Sequence, residues 1–229
     1  MRALRILLII AVIVGGVFVA LDRIAVNMAE DEAAGRIKLQ QGRAGSTEVS
    51  IKGFPFLTQV AGKELDEVGV TMTGIEASAN GRPVRISEMS ADLFEVRLGD
   101  GYSSATASRA EGEARISYED LTKAAQDGVT VAYGQNGKVK VTGSVEVLGR
   151  TVTRSVVSSV SLVGGTTIRV RADAVPGGGI PGIEELVRKK TDFDRQINGL
   201  PAGLKIEKVE ARQDGVVFTV AGKDIVLAG

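Results

Sequence analysis

Pairs of neighbouring carboxylates are the residues of this chain whose type and spacing could support chemistry. The pairs are Asp66 and Glu67, Glu111 and Glu113, Glu119 and Asp120, and Glu184 and Glu185. Adjacent strand residues point to opposite faces, so Asp66 and Glu67 would not converge, whereas Glu111 and Glu113 share a face. That second pair could serve glycoside hydrolysis or weak cation binding. Two acidic residues on an exposed strand are far more often simply solvated.

Several reactive residue types are missing. The 229 residues contain no histidine and no cysteine. This excludes Ser-His-Asp and Cys-His catalysis, zinc bound by histidine, and disulfides. No Asp-x-Asp-x-Asp-Gly calcium loop occurs either. We therefore predict a protein that is not an enzyme and has no metal or cofactor, with a carboxylate-based glycan hydrolase acting through Glu111 as the weakest alternative.

The charge balance argues against a nucleic-acid partner. Lysine and arginine number 28, and aspartate and glutamate also number 28. A protein that binds nucleic acid normally carries an excess of basic residues. Hydrophobic residues make up 44% of the chain, which is enough for a sizeable core in one domain with an appendage, or in at most two small domains.

The appendage is an apolar N-terminal run from Ile6 to Leu21. As a helix it would be roughly 24 Å long, shorter than the ~30 Å hydrocarbon core of a bilayer. Arg2 and Arg5 precede the run and the acidic residues 30–32 follow it, which places the N-terminus inside and the domain outside. No clean signal-peptidase site follows.

Two units are predicted from this pattern. Residues 1–21 are an uncleaved membrane anchor, with a cleaved signal segment as the alternative, and residues 22–229 are one extracytoplasmic domain. Helix is predicted to continue to Gln41, with an apolar stripe of Leu21, Ile24, Ala25 and Met28. That helix is either a solvated stalk or a helix around which a sheet wraps.

An aromatic corner follows the helix. Gly53 can adopt backbone angles closed to other residues, and Pro55 fixes its own φ and pushes Phe54 toward an extended conformation. Phe54, Phe56 and Leu57 should project from this stiff corner. Alternation then sets in, with Val68, Val70 and Met72 on one face, as in a half-buried strand.

The remaining chain alternates as strand after strand. Alternation places Val139 and Val141 on one face of a strand and turns Ile168 and Val170 inward on another.

Two further helices are predicted. Ser117 is predicted to cap a short helix that ends near Gln126, and the sequence 135–137 (Gln-Asn-Gly) is typical of a hairpin turn. A second amphipathic helix is predicted from Ile183 to Ile197, with Leu186 and Phe193 on its apolar face.

Three passages carry a family resemblance. They are the corner Gly53–Leu57 with the following Gly62, Leu65, Val-x-Val-x-Met and Gly74-Ile75, the segment 117–121, and the segment 200–206 leading to 214–216. Together they resemble the actinobacterial LmeA-like phospholipid-binding family. The resemblance implies a hydrophobic N-terminal segment, an extracytoplasmic domain similar to the tubular lipid-binding (BPI-like) fold, and a link to cell-envelope lipid or lipoglycan assembly.

We therefore predict an α+β domain with a long antiparallel, strongly curved β-sheet wrapped around one or two amphipathic helices. An apolar cavity between sheet and helices would bind phospholipid acyl chains, each buried CH₂ contributing about 0.8 kcal/mol. The predicted lipid-binding residues are Phe54, Phe56, Leu57, Val70 and Met72, with Leu186, Phe193 and Ile197 as the opposing wall. Each of these residues could equally be ordinary core, and the second hypothesis is a structural envelope module with a filled core that binds another protein.

Overall fold

The structure is a computed structural model that describes residues 2–41, 45–79, 82–102, 104–125, 128–147, 150–174, 183–197, 200 and 202–227. Its α-helices are α1 (Arg2–Gln41), α2 (Phe56–Gly62), α3 (Tyr118–Ala124) and α4 (Ile183–Thr191). Its strands are β1 (Ser46–Lys52), β2 (Glu64–Ala79), β3 (Arg82–Leu98), β4 (Ala105–Ile116), β5 (Val129–Tyr133), β6 (Val139–Val147), β7 (Arg150–Val163), β8 (Thr167–Ala174), β9 (Phe193–Gln196), β10 (Leu204–Arg212) and β11 (Gly215–Leu227).

The strands form two antiparallel sheets. The first has the order β1-β2-β3-β4-β11-β10, and the second has the order β5-β6-β7-β8-β9. The α+β class is confirmed, but the prediction of one long sheet is wrong, and strong curvature is not found among the described strands. The chain leaves the first sheet through α3, and β5 to β9 then pair only with one another before β10 and β11 return to the first sheet.

Helix α1 is continuous from the apolar run into the folded domain. Its described side chains from Ile6 to Leu21 are exposed, whereas Val26 is buried and packs with Ala25 and Ala29 on the first sheet. The predicted stripe is therefore wrong in part, because Leu21, Ile24 and Met28 face outward. By length and composition, the segment Leu8–Lys38 could cross a membrane.

Helix α2 is not predicted from the sequence, because residues 53–57 are interpreted there as a stiff corner. Phe56 begins it and is buried, Lys63 ends it with a φ of 56°, and Gly53 precedes it with a φ of 99°. The fully buried carboxylate of Asp22 on α1 accepts a hydrogen bond of 2.8 Å from the backbone N–H of Leu57. This bond fixes α2 against α1 at the end of the apolar run.

The second predicted amphipathic helix is too long. Helix α4 ends at Thr191, and Phe193 pairs with Val170 as part of β9. Asp192 follows the helix directly, and its side chain accepts a hydrogen bond from the backbone N–H of Ala172 on β8. Phe193 and Ile197 therefore reach the interior from an extended segment.

Buried side chains form two separate clusters. The base cluster lies between α1, α2 and the first sheet and includes Val26, Phe56, Leu65, Leu93, Val96, Ala107, Ala110 and Ile225. The inter-sheet cluster lies between the two sheets and includes Val129, Val139, Val141, Val156, Ile168, Val170, Ala172, Val209, Ala211 and Val216. The two clusters sit at opposite ends of the first sheet, since β3 runs from the inter-sheet end to α2.

The hydroxyl of Ser158 provides a test of this packing. It is fully buried on β7 and has no hydrogen-bond partner, whereas the hydroxyl of neighbouring Ser159 donates to Asp173 at 2.6 Å. Removing an unsatisfied buried hydroxyl should stabilise the fold, so Ser158→Ala should raise the free energy of unfolding by about 1 kcal/mol. Ser159→Ala is the matched control and should not raise it. Chemical denaturation measures both, and a destabilised Ser158→Ala variant would contradict the described packing.

Candidate functional site

An apolar cavity of about 200 Å³ lies between the two sheets. Both sheets, α3 and α4 contribute to its wall. Apart from Lys189 and Asp192, every residue that lines it is apolar. These apolar residues are Val84, Ile116, Leu121, Ala124, Ala125, Val129, Val131, Val139, Val141, Val160, Ile168, Val170, Phe193, Ile197, Val216 and Phe218.

Strand periodicity explains why these side chains meet. Lining residues come at every second position, as in the pairs Val129 and Val131, Val139 and Val141, and Ile168 and Val170. Val216 and Phe218 do the same from the first sheet. Alternation thus directs one apolar face of each sheet toward the other.

Helix α3 closes one side of the cavity and is hydrogen-bonded to three strands. Ser117 caps it by accepting from the N–H of Asp120 at 3.1 Å, as predicted. The backbone N–H of Ser117 donates to the Ser87 hydroxyl on β3, and the Thr122 hydroxyl accepts from the N–H of Val131 on β5. Leu121 and Ala124 are thereby held against the cavity.

Tyr118 makes the third connection. Its hydroxyl donates to the backbone oxygen of Arg212 on β10 at 2.7 Å, and its ring lies 6.4 Å from that of Tyr133. Burial raises the pKa of Tyr118 to about 12, helped by the nearby Tyr133 and Asp214. The neutral phenol is therefore the form that the fold favours.

The polar rim of the cavity belongs to α4. Asp192 is engaged by the backbone N–H of Ala172, and Arg188 donates to Glu184 and to the oxygen of Ala172. Lys189 is exposed and is the one cation among the described lining residues. A positive charge thus lies at the edge of an apolar chamber.

The predicted lipid-binding residues fall into two groups. Phe193 and Ile197 line the cavity, and Phe193 is 38% exposed at its edge. The side chain of Leu186 lies outside the described part of the chain. The other five predicted residues do not line this cavity: Phe56 is in the base cluster, Val70 packs against it, Met72 is buried in β2, and Phe54 and Leu57 are exposed by 57% and 38%.

The sequence signal for the cavity was present but incomplete. Alternation predicted that Val139 and Val141 share a face and that Ile168 and Val170 point inward. It could not show that these faces meet Val216 and Phe218 across a gap, because that requires the pairing order of the two sheets.

The candidate catalytic carboxylates lie elsewhere, among charged neighbours. Glu111 pairs with Arg109, and Glu113 accepts from Arg212 at 2.9 Å. Glu113 also borders a polar depression of about 160 Å³, in which Arg115 pairs with Glu88 and Asp214. These are surface ion pairs between opposite charges, and such pairs are common on exposed strands.

These observations define a β-rich protein with an apolar chamber between two sheets and an apolar N-terminal helix. The chain belongs to the LmeA-like phospholipid-binding family, whose model matches residues 20–221. A search of curated proteins found no match, and a search of solved structures also found none. The family is described by a ligand, phospholipid, and the cavity is apolar as such a ligand requires.

The raised pKa of Tyr118 gives a pH-dependent prediction. Tyrosine normally ionises near pH 10, so the contribution of Tyr118 to stability should be complete below that pH and be lost as the pH rises through about 12. Absorbance titration of tyrosinate, recorded with circular dichroism, should show a component near pH 12. Tyr118→Phe should remove that component, and its persistence in the variant would contradict the assignment.

Proposed function

We propose that this protein holds a phospholipid acyl chain in the cavity between its two sheets, on the extracytoplasmic side of a membrane. The observation that carries the proposal is the cavity itself, whose described lining is apolar except at Lys189 and Asp192. Membership of a phospholipid-binding family supports the same ligand class. A role in cell-envelope lipid or lipoglycan assembly, which the resemblance implies, is part of this proposal.

The cavity volume limits how much lipid can enter. An engineered protein cavity of about 150 Å³ accommodates benzene, so 200 Å³ corresponds to roughly eight carbon atoms. Burying roughly eight methylenes would contribute about 6 kcal/mol before entropic costs. The cavity thus fits part of one acyl chain, and a second chain would need the sheets to move apart.

Residues 1–21 serve in this proposal as an uncleaved anchor, and residues 22–229 as a single domain outside the membrane. The apolar helix is the supporting observation, and its length and composition suit either an anchor or a signal segment. Continuity of α1 into the base cluster favours the anchor, because cleavage near Leu21 would fall beside Asp22, which holds α2 in place.

The predicted binding role of the aromatic corner and Val70 and Met72 stays a prediction. Phe56, Val70 and Met72 pack within the fold, so the cavity is the better site for an acyl chain in this proposal. Phe54→Asp is the variant that distinguishes the two sites, because Phe54 is exposed and an aspartate there stays solvated, whereas an aspartate at Phe56 would be buried without a partner.

Filling the cavity tests the proposal. Ala124→Phe places a ring into a space little larger than benzene needs and should remove co-purified phospholipid. Ala132→Phe is the matched control, because Ala132 is exposed on β5, on the face opposite Val131, and should leave lipid bound. Native mass spectrometry of the full chain, followed by lipid extraction, measures occupancy, and circular dichroism checks folding.

Three outcomes are distinguishable. Lipid lost in Ala124→Phe and kept in Phe54→Asp supports the cavity. Lipid kept in Ala124→Phe and lost in Phe54→Asp would move the site to the aromatic corner. A native chain that carries no lipid, even after incubation with liposomes, would instead favour the structural module with a protein partner.

Substitution of Lys189 tests whether the lipid head group lies at the α4 edge of the cavity. A lysine at the cavity edge attracts the phosphate of an anionic head group, and a basic residue near an anionic lipid surface contributes about 1 kcal/mol. Lys189→Gln should therefore weaken binding of phosphatidylglycerol roughly fivefold at low salt, and less as ionic strength rises. Lys140→Gln, at an exposed position on β6, is the control. Equal binding by both variants would contradict a head group at α4.

A further inference from the structure

Four large apolar side chains are exposed where the apolar run of α1 meets the folded domain. Phe54 is 57% exposed and Leu57 38% exposed, and beside them Leu21 and Ile24 of α1 are more than half exposed. We call these four residues the base patch. Large exposed apolar side chains that form a group mark an interaction surface.

Two contacts set the height of the base patch along α1. The backbone N–H of Leu57 donates to Asp22, and the guanidinium of Arg23 lies 5.4 Å from the centre of the Phe54 ring. Both partners follow directly after Leu21, the last residue of the apolar run. The corner and α2 therefore sit level with the end of the apolar segment.

The length of that segment fixes the position of the bilayer. From Ile6 to Leu21 the helix spans roughly 24 Å, which is less than the ~30 Å hydrocarbon core. A short span is accommodated by thinning the bilayer and by drawing flanking residues into the interface. No room then remains for the domain to stand clear of the membrane surface.

From these constraints we propose that the base patch is inserted in the interfacial layer of the membrane that α1 enters, so that the domain stands on the bilayer through Phe54 and Leu57. The chemistry suits this layer. The exposed residues of α2 are Leu57, Thr58, Ala61 and Gly62, which are all uncharged. Arg23 beside the Phe54 ring supplies the cation and aromatic group that are typical of a membrane interface.

This inference is independent of the cavity, which lies at the other end of the first sheet. It can be tested on the full chain in liposomes of phosphatidylcholine and phosphatidylglycerol. Because the chain has no cysteine, single substitutions carry one environment-sensitive fluorophore each. The test positions are Phe54→Cys and Leu57→Cys, with Thr130→Cys at an exposed position of β5 as the aqueous control and Ile13→Cys as the inserted control.

Labels at positions 54 and 57 should show blue-shifted emission, resist quenching by iodide, and be quenched by nitroxide lipids labelled near the head group. The label at 130 should behave in the opposite way on all three measures. Iodide-accessible labels at 54 and 57, together with an inserted label at 13, would overturn the proposal. An aqueous label at 13 would also overturn it, since α1 would then not be in the bilayer.

A second measurement avoids labelling the patch itself, since an apolar fluorophore could insert on its own. The label is moved to Thr58→Cys, an exposed and uncharged position of α2. Adding Phe54→Ser and Leu57→Ser to that variant should increase its iodide quenching, with unchanged circular dichroism. Equal quenching with and without these substitutions would mean that the two side chains do not hold α2 at the membrane. Lipid occupancy of the same variants, measured by native mass spectrometry, reports on the cavity separately.

Discussion

The shape of the cavity depends on the separation of the two sheets, and α3 constrains that separation. It is hydrogen-bonded to β3 through Ser87, to β10 through the Tyr118 hydroxyl, and to β5 through Thr122. The first two strands belong to one sheet and the third to the other. Loss of α3 would leave β10 and β7 as the main described contact between the sheets, so the shape of the cavity depends on this short helix.

Different elements cover the apolar face of the first sheet at its two ends. At the base, α1 and α2 cover the sheet directly, and the small residues Ala107 and Ala110 allow this close approach. At the other end, valines and isoleucines of the second sheet face Val216 and Phe218 across the gap. Most of these side chains are short and β-branched, and the space left between them is what an acyl chain would occupy in the proposed function.

The sequence predicted correctly those features that depend on a few adjacent residues. The Ser117 cap follows from the preferences of a few neighbouring residues. So does the hairpin turn, in which Gln135 and Asn136 both have positive φ. Alternation also identified the inward faces of β6 and β8. In contrast, Phe193 completed an apparent helical stripe, but in the structure it lies on β9 and pairs with Val170 of β8, and the preceding Asp192 accepts a hydrogen bond from Ala172. Such a contact between distant segments leaves no local trace.

The candidate site was predicted in part for the same reason. Phe193 and Ile197 carry enough apolar surface to stand out, and they do line the cavity. Phe54 and Phe56 stood out equally, but a sequence cannot show that adjacent elements carry them to the opposite end of the sheet. The family match, over residues 20–221, supplied the ligand class that no single residue could.

The absence of a break in α1 has a consequence for how the domain meets other molecules. If α1 is inserted as proposed, a continuous helix fixed to α2 through Asp22 holds the domain in one orientation, whereas a flexible tether would let it tumble. The first-sheet residues that line the cavity, from Phe218 to Val84, lie about nine to fourteen strand residues from the end of β3 at α2, or roughly 30 to 45 Å along the sheet. With the helix inserted as proposed, the mouth of the cavity stays at a constant distance from the membrane surface. The cavity then meets other molecules by diffusion in two dimensions, and only those that reach that distance.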